Sequence, residues 1–212
     1  MKDITFRPTP LNKCLLGITL PMEKDRFFQE LEEQSPKDFA KSRVKSVSKG
    51  FLSSSKWKRY EKEIVKPFRG VKADVEKCGV SVIEDFSLSH LQLIGDFEAV
   101  SIIGHWLPSC EKVEMADGLY SVREFVDAIP QNAECMLDLI ICNSIILLDE
   151  IKKYFRDIIV FGNINTAPYQ IALSLYRCVI YELQSDKSLN YLDATALARK
   201  KVKLLSKKTC LL

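Results

Sequence analysis

The chain has 212 residues, 47% of them hydrophobic and 28% charged, with a formal net charge of +3. It is long enough to bury a sizeable core, its composition is that of an ordinary globular protein, and so small a net charge does not by itself call for a polyanionic partner. No apolar stretch is long enough to span a bilayer and Met1-Lys2-Asp3 lacks the opening of a signal peptide, so a cytoplasmic protein is expected.

Seven cysteines (Cys14, Cys78, Cys110, Cys135, Cys142, Cys178 and Cys210) are odd in number, widely spaced and form no CxxC. Reduced thiols are therefore expected, rather than a disulfide framework or a structural zinc site. Cys210 stands third from the end, where a prenylation motif would need it fourth.

Taken in order, residues 1–11 carry two prolines and predict an extended lead-in, and Lys13 to Leu20 predicts a first strand. Phe27, Phe28 and Leu31 at helical spacing predict a helix over Met22 to Gln34. From Lys41 to Lys72, eleven Lys or Arg stand against two Glu, with Phe51, Trp57, Tyr60 and Phe68 interleaved. Such a stretch suits phosphate backbones or an anionic surface. Its positives look spread rather than gathered on one helical face. The expected reading is thus a loop-and-helix insert around 35–72, solvated outside with the aromatics turned inward, and nucleic-acid binding is not expected. Ser46 to Ser55 reads as its mobile loop.

A helix follows from Trp57 or Lys62 to Lys77, with Gly79 as its C-cap, and Val80 to Ile83 is a second strand. Ser87 caps a helix to Leu93, in which His90 reads as structural. A third strand ends at His105. Lys112 to Met115 and Asp117-Gly118 predict a strand edge and turn, and Ser121 with Glu124 a capping box for a short helix to Pro130. After a fourth strand ending at Cys142, Ile145 to Phe155 predicts a helix. Asp157 to Phe161 is a fifth strand, ended by Gly162. Pro168 opens one long helix, and a last runs from Leu189 to Leu205. Strands alternating with helices mean an α/β sandwich with a mostly parallel sheet, in one domain over residues 1–212. No GxGxxG or GxxxxGK[ST] follows any strand, so a nucleotide has no cradle.

Two strands carry chemistry. Ala99 to His105 and Met136 to Cys142 are short β-branched apolar runs, fit for burial on both faces of a parallel sheet. Each ends at the C-terminal edge, where open α/β sheets bind ligands. A thiol is mostly protonated at neutral pH and attacks only as thiolate, so Cys142 as nucleophile needs His105 as base. Backbone N–H groups from Gly104 to Trp106 and at Cys142 suit the oxyanion of a tetrahedral intermediate, and a helix after Cys142 favours the thiolate. A lone Cys or His is more often a core residue than a catalytic one; their joint position selects the chemical reading. Cys135 and Cys178 read as core thiols. Asp138, Asp117 and Glu114 are candidates for binding a basic substrate side chain.

From Ser87 to about Leu205 the layout resembles the caspase-like fold of cysteine peptidases, and within it the bacterial CHAT-domain branch. Phe97 to His105 is similar to that family's histidine strand. Glu114 to Ser121 with Glu124-Phe125 resembles its strand-turn-helix insert, and Ile140-Ile141-Cys142-Asn143-Ser144 its nucleophile segment. Phe161-Gly162 and Ala194 to Arg199 resemble its closing elements. The resemblance implies a caspase-like three-layer sandwich and a cysteine endopeptidase acting on a protein substrate through Cys142 and His105, with neither metal nor organic cofactor. It also implies a role in bacterial defence or regulated proteolysis, and a domain held inactive until triggered. With no obvious sensor domain in the chain, a separate activating or inhibitory protein partner is expected. The chain departs from the family at Trp106, where Gly usually follows the histidine, and at Ile145, where Gly often follows Cys-x-Ser. Ile140 stands where relatives place a polar or acidic residue of the P1 pocket, so no P1 preference is implied. Trp106 favours the alternative, a catalytically inactive caspase-like module that binds a protein partner.

Overall fold

The computed structural model describes residues 7–27, 54–107, 111–141, 144–162 and 169–209. Cys142, Phe51, all but the first turn of the helix expected from Met22, and the loop expected at Ser46 to Ser55 as far as Ser53 lie outside these residues; Ser54 and Ser55, expected in that loop, instead open a helix.

Seven strands are described: β1 (Cys14–Ile18), β2 (Ser81–Ile83), β3 (Ala99–Leu107), β4 (Lys112–Met115), β5 (Gly118–Ser121), β6 (Cys135–Ile141) and β7 (Ile158–Gly162). Five form a parallel sheet in the order β2-β1-β3-β6-β7. The end of β3 runs on to pair antiparallel with the hairpin β4-β5. The helices are α1 (Ser54–Tyr60), α2 (Lys66–Lys77), α3 (Val122–Asp127), α4 (Ile145–Tyr154), α5 (Tyr169–Ser185) and α6 (Tyr191–Thr209). A π-helical turn over Glu61–Val65 joins α1 to α2.

Helices cover both faces of this sheet, so the architecture is the expected three-layer α/β sandwich. Successive side chains alternate between the faces. Cys14, Leu16, Ile18, Ala99, Ile103, Met136 and Ile140 pack with α2, α5 and α6. Leu15, Val100, Ile102, Leu137, Leu139 and Ile141 pack with α3, α4 and the segment from Leu91 to Ile94. Every residue of β1, β3 and β6 is buried, which is why their sequences are apolar on both faces rather than alternating, broken only at Ser101, His105 and Asp138.

Local signals match the element ends. Gly79 adopts φ +94° and Val80 N–H bonds Val75 O at 3.2 Å, closing α2 in a Schellman turn. Ser121 and Glu124 cap α3 reciprocally, the Ser121 N–H reaching the carboxylate at 2.8 Å. The helix expected after Ser87 is a 3₁₀ helix, Leu88–Asp96, with Ser87 as its N-cap. Leu88, Leu91 and Ile94 recur every third residue, and a three-residue turn stacks them on one side. His90 completes its cap, the ring Nδ1 accepting Ser87 N–H at 2.9 Å.

In the described part of the basic stretch the aromatics do turn inward: Tyr60 and Phe68 are buried, and Trp57 and Tyr60 pack on Phe27. The positives are less spread than their sequence suggests. Lys58, Lys62, Lys66 and Arg69 are all exposed, at spacings that share a helix side. Acids answer part of this charge: Arg59 bonds Glu63 at 2.8 Å, Arg69 bonds Glu23 at 2.6 Å and Lys72 bonds Glu84 at 3.0 Å. Among the described residues no helix is long and apolar enough to cross a membrane.

Two glycines separate packing from propensity. A β-carbon at Gly17 would run into the ring of buried Phe86, whereas one at Gly70, inside α2, would meet nothing within 4 Å. Urea denaturation should show Gly17→Ala destabilised by about 1–3 kcal/mol and Gly70→Ala stabilised by about 0.5–1 kcal/mol.

Candidate active site

The site is built on the ladder between β3 and β6. Ser101 stands opposite Asp138, and the register runs on to its last described pair, Gly104 opposite Ile141. His105 is the next residue of β3, and Cys142 the next residue of the chain after Ile141. Gly104 lets the chain close tightly here, since a β-carbon would come within 2.7 Å of Thr19 Oγ1 at the end of β1. On the far side of Cys142, Ser144 is fully buried and its carbonyl accepts Leu148 N–H at 2.9 Å, starting the ten-residue α4 at Ile145. A β-carbon on Gly162 would lie 2.5 Å from Ser144 Oγ, so the glycine that ends β7 makes room for this turn.

His105 is only 7% exposed and lies on the sheet face covered by α5. Tyr169 Oη is 3.3 Å from its Nδ1 and 3.3 Å from Gly104 O. A phenol has one proton. Donated to Gly104 O, it leaves Oη to accept Nδ1–H. That tautomer leaves a lone pair on Nε2, the form a general base requires. Tyr169 was not among the sequence candidates. An aromatic at the start of a helix carries no signal of the strand it will cover.

Glu114 stands directly opposite His105 in the β3–β4 ladder. Its neighbours Val113 and Met115 point into the core behind the sheet, so the Glu114 side chain shares the face of His105. It is 2% exposed. The structure therefore brings Glu114 to the histidine, and buries it.

Asp117 goes elsewhere. It sits in the exposed β4–β5 turn, and its carboxylate accepts Leu88 N–H at 3.0 Å, capping the 3₁₀ helix. Asp138 faces α5 and α6, three residues behind Ile141, or about 10 Å back along the strand. It accepts Tyr191 Oη at 3.3 Å, and the same hydroxyl bonds Ser101 Oγ at 2.6 Å. Burial pushes the Asp138 carboxyl up to about 7, against the opposing pull of Arg199 and Tyr191. It lines a cavity of about 130 Å³ with Ile140, Tyr176, Thr195 and Arg199.

Trp106 is the departure from the family pattern that the fold accommodates most simply. It is 4% exposed and packs with Val113 and Phe125 on the face away from His105. Its bulk does not enter the histidine's side of the sheet. The backbone from Gly104 to Trp106, expected to offer oxyanion donors, is continuous strand, with Trp106 opposite Val113.

Cys135 is a core thiol as expected: burial pushes it, like Cys14, up to about 12. Cys178 is half-buried against the core of α5. Among the described residues no group of three or more His, Cys, Asp or Glu gathers as metal ligands.

The raised Asp138 carboxyl has a definite effect on stability. Below about pH 4 it is protonated in both states and costs little. As pH rises toward about 7 the unfolded chain releases a proton that the folded chain keeps, so stability falls by up to about 1.4 kcal/mol per pH unit. Asp138→Asn removes this slope. Urea titrations from pH 4 to 8 should show the variant gaining on the native chain across that window, with the gain levelling off above it.

Compared with known proteins, the chain matches no protein-family model, no curated protein and no solved structure.

Proposed function

We propose that this chain is a caspase-like cysteine endopeptidase of the CHAT type, hydrolysing peptide bonds of a partner protein through Cys142 and His105. The observation that carries the reading is the β3–β6 register. Gly104 stands opposite Ile141, and the two chemistry-bearing residues are the next ones along their chains. Supporting it, β3 and β6 are the third and fourth parallel strands in chain order, and the β4-β5 hairpin with α3 falls between them. That is the order the family resemblance implies.

The chemistry follows from the residues. His105 Nε2 takes the thiol proton, and the sulfur attacks the scissile carbonyl carbon to give a tetrahedral oxyanion. His105 then protonates the leaving amine. Water, deprotonated by the same imidazole, releases the acid and restores the thiol. The N-terminus of α4, three residues past Cys142, favours the thiolate. A second reading, the inactive partner-binding module, draws support from the burial of His105 rather than from Trp106. A peptidase held closed until a protein partner opens it accounts for the same burial.

Iodoacetamide labelling read cysteine by cysteine against pH tests the proposal. Cys142 should label well below about pH 8 and faster than the other six, with buried Cys14 and Cys135 as unreactive references, and His105→Ala should abolish the advantage. Labelling of Cys142 only on unfolding would favour the inactive module. Tyr169→Phe, which removes one hydrogen bond from Nδ1, should slow Cys142 labelling by about 2- to 10-fold while leaving the fold intact.

A further inference from the structure

We propose that Glu114 is a positioning residue for His105: a buried carboxylate, set across the β3–β4 ladder, that stabilises the imidazole when it is protonated, while Tyr169 holds its tautomer. The inference rests on the reading of His105 as the base. Three observations converge on it. The antiparallel register pairs the two residues directly, which sets their β-carbons roughly 5 Å apart. Val113 and Met115 turn into the core behind the sheet, which fixes Glu114 on the histidine's face. And Glu114 is 2% exposed, too enclosed to meet the side chain of a protein substrate, the role its charge suggested in the sequence.

A carboxylate out of water needs a cation or donors close by. The titratable groups that the described registers and contacts bring to His105 are Glu114 from β4 and Tyr169 from α5. Cys142 follows β6, and Asp138 lies further back on that strand. Tyr169 is a neutral hydroxyl that sets the tautomer. Glu114 supplies the negative charge, which favours the imidazolium formed when the thiol gives up its proton.

The chain has two histidines, so an imidazole-detected NMR titration reads His105 directly, with His90 in its Ser87 cap as an internal reference. Glu114→Gln should lower the pKa of His105 by about one unit or more and leave His90 unmoved, and Glu114→Asp should retain most of the native value. An unchanged His105 in a folded Glu114→Gln variant overturns the inference. Should that variant fail to fold, the carboxyl carbon of Glu114 in the native chain decides. A titration step shared with His105 supports the pair, and independent titration overturns it. The labelling experiment keeps the two ideas apart. His105 responding to Glu114 while Cys142 ignores His105 would sink the peptidase and leave the pair. The converse would sink the pair alone.

Discussion

The parallel ladder between β3 and β6 is the constraint on which the rest depends. Its backbone hydrogen bonds would form equally well in other registers, but a slip of one residue would turn every side chain of β6 to the other face. Because both faces are covered, no such slip is tolerated: Leu137, Leu139 and Ile141 belong to one core, and Met136 and Ile140 to the other. Packing in two cores thus locks the alignment of the strand ends. The precision of the histidine's position is a by-product of burying leucines and isoleucines.

What the histidine meets there comes from two other parts of the chain. Glu114 arrives by the hairpin and Tyr169 by the first turn of α5. Each is held by structure with its own reasons to form. Gly118 adopts φ +155° at the hairpin turn, the reciprocal Ser121–Glu124 cap starts the next helix, and α5 buries Leu173, Tyr176 and Val179 against the sheet. A site assembled this way is rigid because its supports are redundant.

Much of this was legible in the sequence, and the division has a physical basis. Strands buried on both faces announce themselves as short β-branched runs, and caps such as Ser121–Glu124 or Gly79 are local chemistry readable within four residues. The 3₁₀ type of the helix after Ser87 was hidden by its length, since three apolar residues at spacing three also fit an α-helical stripe. The surroundings of His105 were not legible at all. That Glu114 lies opposite it depends on β3 running two residues beyond the histidine, and that Tyr169 covers it depends on how α5 docks. Asp138 likewise meets Tyr191 across 53 positions of sequence, a distance over which no local pattern speaks.

The placement of Trp106 reaches beyond sterics. The tryptophan stands opposite Val113 and lies in the same buried cluster as Phe125, so the end of β3, the hairpin and α3 share one close-packed interior. Close-packed groups shift together or not at all. The imidazole therefore cannot swing free on its own strand: whatever displaces α3 or the hairpin carries the histidine with it, as a lever carries the point fixed at its end.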